Sequence, residues 1–240
     1  MAFYRGPRIV TNGLVLALDA ANTKSYVSGS TTWNDLSGNL NSGSLVNGPT
    51  FNSANGGSIV FNGTSSYCQT SISPITNNSS SFTIECFIQF SNFNNNGFFP
   101  IIDSGNFGGV DSGFGRQVGY SLAKSNSNRL YLGVDAGYID ISTTINNNQW
   151  YHVAGVATYG IPYSLSLYIN GTPIPAFSSG STNTLTISQP TARIARGYIG
   201  SGLTLYGAFT LSNAKLYNRA LSAAEIAQNY NAQKSRFNLT

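Results

Sequence analysis

A chain of 240 residues and 25.5 kDa holds one sizeable core, and 41% hydrophobic with 12% aromatic residues is no disordered composition. Only 8% of residues are charged, against roughly 25% in an ordinary domain, so the polar surface falls to 28 Asn, 32 Ser and 26 Gly. The formal charge of +4 sits at the ends, since the eight acids and eight of the bases cancel between residues 13 and 233, and no basic stripe is left for nucleic acid.

The opening residues, Met1 to Arg8, hold no apolar run of signal-peptide length, and no window approaches the roughly 20 apolar residues of a membrane span. Synthesis in a cytoplasm without a signal peptide is therefore expected. The glycosylation sequons at Asn62, Asn77, Asn78, Asn170 and Asn238 then carry no weight. Arg5 and Arg8 lie in this arm, residues 1–12, and Lys234 and Arg236 in a basic polar tail, residues 233–240. Localised terminal charge reads as a docking feature.

Between the ends, a period of two dominates. Leu14, Leu16 and Leu18 alternate with Val15, Ala17 and Asp19. Phe82, Ile84, Cys86, Ile88 and Phe90 share a face opposite Thr83, Glu85, Phe87 and Gln89. Leu130, Leu132 and Val134 repeat the pattern, as do Leu165, Leu167 and Ile169. Gly, Asn, Ser or Pro clusters bound each run, so the runs read as strands with one face buried and one wet. The Gly-rich stretch from Asp103 to Gly119 reads as a loop or irregular hairpin. Asn170-Gly171 signals a tight hairpin, and Pro173 and Pro175 confine the returning segment to a sheet edge. The fold class is all-β, an antiparallel β-sandwich.

One helix is expected near the C-terminus. Ser222 and Glu225 form the pattern of a capping box, and Ala223, Ile226, Ala227 and Tyr230 make an apolar stripe at helical spacing. Cys68 and Cys86 have no disulfide-framework or zinc spacing; they read as small hydrophobes, with a bridge between neighbouring strands as the alternative.

The residues also resemble a known family. Leu14-Val-Leu-Ala-Leu-Asp19 with Trp33-Asn-Asp-Leu-Ser-Gly38 is similar to the opening of a laminin-G-like, concanavalin A-like jelly roll. Phe61-Asn-Gly-Thr-Ser-Ser-Tyr67, Gln149-Trp-Tyr-His-Val-Ala154 and Leu167-Tyr-Ile-Asn-Gly171 resemble its internal strands. Lys215-Leu-Tyr-Asn-Arg-Ala-Leu-Ser-Ala-Ala-Glu-Ile226 resembles its ending. The resemblance implies one jelly-roll domain over residues 13–232 and places function only loosely, because such sandwiches serve lectins, glucanases, adhesion modules and virion proteins. The arm joined directly to the jelly roll is similar to small virion proteins of tailed phages. That similarity implies a structural protein on the virion surface, as head decoration or a fibre or tail component. Its partners would be capsid or tail proteins and further copies of itself in a homo-oligomer; the alternative reading is a carbohydrate-binding, lectin-like module that recognises host-surface glycans, and neither reading calls for nucleic acid or membrane.

Catalytic chemistry finds little support. Glycosidases of this fold need clustered carboxylates, but Glu85 and Glu225 are the only glutamates, and Asp135 and Asp140 would face opposite sides of an extended chain. His152 is the single histidine, and no nucleophile elbow accompanies it. No catalytic residue and no cofactor are therefore expected. Calcium is the metal to weigh, with Asp103, Asn106 and Asp111 in the Gly-rich stretch, although turn-forming roles explain them as well. Phe93, Phe98, Phe99, Phe107, Phe114 and Tyr138 are aromatic candidates for a sugar or for a neighbouring subunit.

Overall fold

A pleated chain turns successive side chains to opposite faces, so runs with an apolar residue at every second position become strands. The computed structural model describes residues 8–71, 73, 75, 80–91, 99–108, 115–124, 128–135, 137–141, 144–179, 191–199 and 203–240. In chain order the strands begin with β1 (Leu14–Asp19), β2 (Thr32–Trp33), β3 (Gly43–Val46), β4 (Thr50–Asn52), β5 (Ser58–Asn62) and β6 (Tyr67–Thr70). Then come β7 (Phe82–Phe90), β8 (Phe99–Gly108), β9 (Gly115–Lys124), β10 (Leu130–Val134), β11 (Gly137–Ile141) and β12 (Trp150–Thr158). The series ends with β13 (Ser164–Ile169), β14 (Thr172–Ile174), β15 (Ala176–Ser179), β16 (Arg193–Ile194), β17 (Arg196–Ile199), β18 (Leu203–Tyr206) and β19 (Ala208–Tyr217). One α-helix among the described residues, α1 (Ala223–Gln233), follows.

Two sheets stack face to face. The first runs β14-β13-β12-β7-β19-β5-β4, with β1 added beside β19. The second runs β15-β11-β10-β9-β8-β16-β6-β3-β2, with β17 and β18 joined to it at β8. Pairing among the described residues is antiparallel except where β17 meets β8. The antiparallel sandwich with one short C-terminal helix is the architecture expected from the sequence.

Between the sheets, Ile84, Cys86, Ile88, Val153 and Leu216 from the first share one core with Ile102, Leu122, Leu132 and Ile194 from the second. The sheets approach closely at Gly155 of β12, where an added Cβ would stand 2.8 Å from Leu132 Cδ1. Cys68 and Cys86 are free and buried in different sheets, so no bridge between neighbouring strands forms. Burial pushes the Cys68 thiol up to about 12 and the Cys86 thiol up as well.

The turns follow their residues. Asn170 and Gly171 have φ of 51° and 75°, as a two-residue hairpin of matching twist demands, and β14 with Pro173 is an edge strand. In the Gly-rich stretch after Asp103, β8 and β9 pair antiparallel with a register shift between Asn106 and Gly108, and residues 109–114 lie outside the described residues.

The structure departs from the sequence reading in two places. The outer face of β7 is not wet: Thr83, Glu85 and Phe87 are fully buried. The cause is a layer laid over the first sheet by residues 8–12, α1 and the 3-10 turn Lys234–Phe237. Nor is the segment beyond residue 233 a loose tail. Phe237 is buried and stacks on Phe87 with ring centroids 4.6 Å apart, and its ring centroid lies 4.6 Å from that of Trp150.

Candidate binding faces

The layer over the first sheet is built on a capped helix. Ser222 Oγ accepts a hydrogen bond from Glu225 N–H, and Glu225 Oε2 accepts one from Ser222 N–H. Arg219 closes the same corner by donating to both Glu225 carboxylate oxygens, at 2.6 and 2.9 Å. The Arg219 hydrogen bonds and the Ser222 amide hold this carboxyl at about 2, well below the usual carboxylate range.

Beneath α1 lies a buried polar cluster. Lys215 Nζ stands 3.1 Å from Glu85 Oε1, His152 Nε2 stands 3.6 Å from Glu85 Oε2, and Asn229 Nδ2 donates to that same oxygen at 3.0 Å. Burial pushes the Glu85 carboxyl up, but the Lys215 ammonium, His152 and Asn229 together outweigh it and hold the group at about 2. His152 thus belongs to an internal network under the helix, and Trp150 packs at its margin.

The terminal basic residues separate. Arg5 lies outside the described residues, while Arg8 is exposed and its carbonyl accepts from Gln228 Nε2 at 2.7 Å. Lys234 sits over the Tyr230 ring, 5.4 Å from its centroid. Arg236 is committed internally: it pairs with Asp19 at 3.3 Å and donates to Ser212 Oγ at 2.7 Å. The structure therefore gathers Arg8 and the C-terminal segment on the outer side of the first sheet, with Arg236 fixed to the body.

The second sheet carries a groove on its own outer side. In β3 and β6, Leu45 and Cys68 point to the core, so Ser44, Val46, Tyr67 and Gln69 point away. With Thr70 and Ser71 they line a groove of about 240 Å³. The Arg196 guanidinium lies 4.5 Å above the Tyr67 ring, and Tyr206 flanks that ring at 6.3 Å. The same strand row continues from Gln69 into Arg193 and Asp103, a buried ion pair at 2.6 Å. Burial pushes the Asp103 carboxyl up to about 6, only partly offset by Arg193. A second groove, of about 360 Å³, lies at a sheet edge between Tyr26, Gly29, Leu45, Pro49 and Phe51.

The described carboxylates all have structural tasks. Asp19 holds Arg236, Asp140 holds Arg129 at 2.7 Å, and Asp135 accepts from Gly119 N–H. Asp35 accepts from Ala17, Ser37 and Asn41 N–H groups and so folds the loop after β2. Asp111 lies outside the described residues, and so do Phe93 and Phe98. The side chains of Asn106, Phe107, Phe114 and Tyr138 lie outside them too, while Phe99 is buried. Among the described residues no group of three His, Cys, Asp or Glu side chains gathers as a metal would need, and no helix is long and apolar enough to cross a membrane.

Residues 62–227 match the model of a laminin-G-like family described as the concanavalin A-like lectin/glucanases superfamily. The chain belongs to this family. No curated protein matches it. Among solved structures the laminin-G-like sandwich is similar to a Trypanosoma rangeli sialidase in complex with sialic acid, with a TM-score of 0.63, 17% identity and coverage of 93% of this chain and 33% of that one. It is similar to the binding domain of Paraclostridial Mosquitocidal Protein 1, with a TM-score of 0.62, 20% identity and coverage of 92% and 52%. A third is the binding domain of Botulinum neurotoxin DC in complex with rat synaptotagmin II, with a TM-score of 0.63, 16% identity and coverage of 93% and 52%. The chain spans between a third and about half of the length of these proteins, and the likeness is one of fold.

Proposed function

We propose that this laminin-G-like chain is a non-catalytic recognition module, carried on the surface of a tailed-phage particle and docked through its terminal segments. The observation that carries the reading is the opposition of two faces. The described N-terminal segment from Arg8 and the C-terminal segment lie on the outer side of the first sheet, and the groove of Ser44, Tyr67 and Gln69 lies on the outer side of the second. A module docked by its terminal layer therefore presents the groove outward.

An amide, hydroxyls and an aromatic face are the groups that hold a sugar, by hydrogen bonds to its hydroxyls and by packing on its C–H face. About 240 Å³ is less than the roughly 300–1,000 Å³ that houses a drug-sized ligand and suits a single sugar unit of a host-surface glycan. The carboxylate pairs support the non-catalytic part, since acid-base hydrolysis of a glycoside needs two carboxyls facing one bond. Glu85, Asp103 and Glu225 are each tied to a cation instead. Docking falls to Arg8 and Lys234 with the undescribed Arg5, against an acidic patch on a capsid or tail protein, and many copies would add up by multivalency. Electron microscopy of purified particles tests this directly. Copies on the head or tail surface with the β3–β6 groove facing solvent are expected; particles lacking the chain, or copies with that groove against the shell, would overturn it.

A further inference from the structure

A cation stands over the aromatic wall of the β3–β6 groove. Cys68 and Ala195 belong to the core between the sheets, so their neighbours Tyr67 and Arg196 turn to the outer face, and Tyr206 pairs with Arg196 across β17 and β18. The Arg196 guanidinium lies 4.5 Å from the Tyr67 ring centroid, and the Tyr67 and Tyr206 centroids are 6.3 Å apart. All three side chains are half-buried. A guanidinium placed over a ring uses its flat face for the contact, while its N–H donors radiate from its edge.

The charge around the groove is one-sided. A polar row crosses the second sheet strand by strand, from Thr32 through Ser44, Gln69, Arg193 and Asp103 to Ser121. Its far half is closed, with Arg193 and Asp103 paired at 2.6 Å and Ser121 buried beside them. Those two charges cancel. Its near half is open and neutral: Thr32 and Ser44 are exposed and Gln69 is half-buried. Among the described residues no carboxylate lines the groove, so Arg196 sets the sign of the field over it. A neutral sugar would be served by Ser44, Gln69 and Tyr67 alone. A guanidinium at the end of that set adds the fork that matches an oxyanion with two parallel N–H···O bonds.

We infer that the β3–β6 groove takes a sugar bearing an anionic substituent, a carboxylate or a sulfate. The sugar ring packs against Tyr67, its hydroxyls meet Ser44 and Gln69, and its anionic group meets the edge of Arg196. The inference rests on the reading of the groove as a glycan site and names the class of its ligand. Arg196 is then the residue that sets specificity, since it rewards the charged sugar over a neutral one of the same shape.

The test applies full-length wild type, Arg196→Met, Arg196→Lys and Tyr67→Ala to an array of neutral, sialylated, uronic-acid and sulfated glycans. Retention concentrated on anionic glycans is expected, at least about tenfold weaker in Arg196→Met. Arg196→Lys, which keeps the charge and loses the fork, should fall between the two. The sialylated and uronic-acid spots report a carboxylate, and the sulfated spots a sulfate. Wild-type retention on the anionic spots should also fall as salt rises from about 50 to about 500 mM, a readout that needs no variant to fold. Retention on neutral glycans as strong as on anionic ones, lost in Tyr67→Ala and unchanged in Arg196→Met, would overturn the inference and leave the groove a glycan site. Absence of Tyr67-dependent retention on any glycan would overturn both.

Discussion

Replacing Lys215 by Met is expected to destabilise the protein by about 3–5 kcal/mol at pH 7, the cost of removing one partner of a buried pair. Lys215 and Glu85 are 3% and 0% exposed and stand 3.1 Å apart. The carboxyl points the same way: folding lowers it from 4.5 to about 2, the net of burial against Lys215, His152 and Asn229 together, which at 1.36 kcal/mol per unit is on the order of 3 kcal/mol for the whole cluster. In a chain of this size about 3 kcal/mol lowers Tm by roughly 6–12 °C. The pH dependence has a definite sign. In the wild type the depressed carboxyl contributes stability that is full above about 4.5 and lost as pH falls towards 2. In the variant, burial is left opposed only by His152 and Asn229, the carboxyl rises, and the folded state gains stability on acidification instead. The gap between wild type and variant therefore narrows from pH 7 to pH 5. Urea unfolding followed by Trp33 and Trp150 fluorescence at both pH values reads the effect. A loss below about 1 kcal/mol, the level of a solvent-exposed pair, that is equal at both pH values would refute the reasoning.

Phe237→Ala removes the ring packed on Phe87 and Trp150, and is expected to cost about 3 kcal/mol and to shift Trp150 emission to the red. An unchanged spectrum would mean that the C-terminal segment is not seated on the first sheet. Ser222→Ala should cost about 1 kcal/mol in thermal unfolding, because it strips the Glu225 N–H of its acceptor. Both thiols should be silent to a disulfide reagent in the native state and react stoichiometrically in urea, since burial holds Cys68 and Cys86 protonated. Fast reaction of either in the folded protein would contradict the packing described for β6 and β7.

Much of this was legible in the chain itself. Alternation marks which side chains of β7 share a face, and Ser222 with Glu225 marks the start of α1, because both signals are local. What covers a face is not local. Thr83, Glu85 and Phe87 read as wet because the layer that buries them comes from residues 8–12 and 223–237, far away in sequence. Asn229 lies off the apolar stripe of α1 that the sequence marks, yet it is buried with its two polar ends satisfied by Val10 and Glu85, 219 and 144 residues away. Arg236 reads as a free tail charge for the same reason, since its partner Asp19 is 217 residues distant. The groove on β3 and β6 carried a weak signal: Tyr67 and Gln69 alternate with Cys68 and Thr70, which turns them outward, but only the pairing of the two strands brings Ser44 and Val46 beside them.

The measurement that bears most directly on the recognition reading is glycan-array binding of the full-length protein beside its Tyr67→Ala and Arg8→Glu variants. Retention on a defined set of glycans, lost at least tenfold in Tyr67→Ala and unchanged in Arg8→Glu, is the expected result, because the groove and the terminal layer lie on opposite sheets. Retention that survives Tyr67→Ala and disappears with Arg8→Glu would place recognition on the terminal layer and contradict the account.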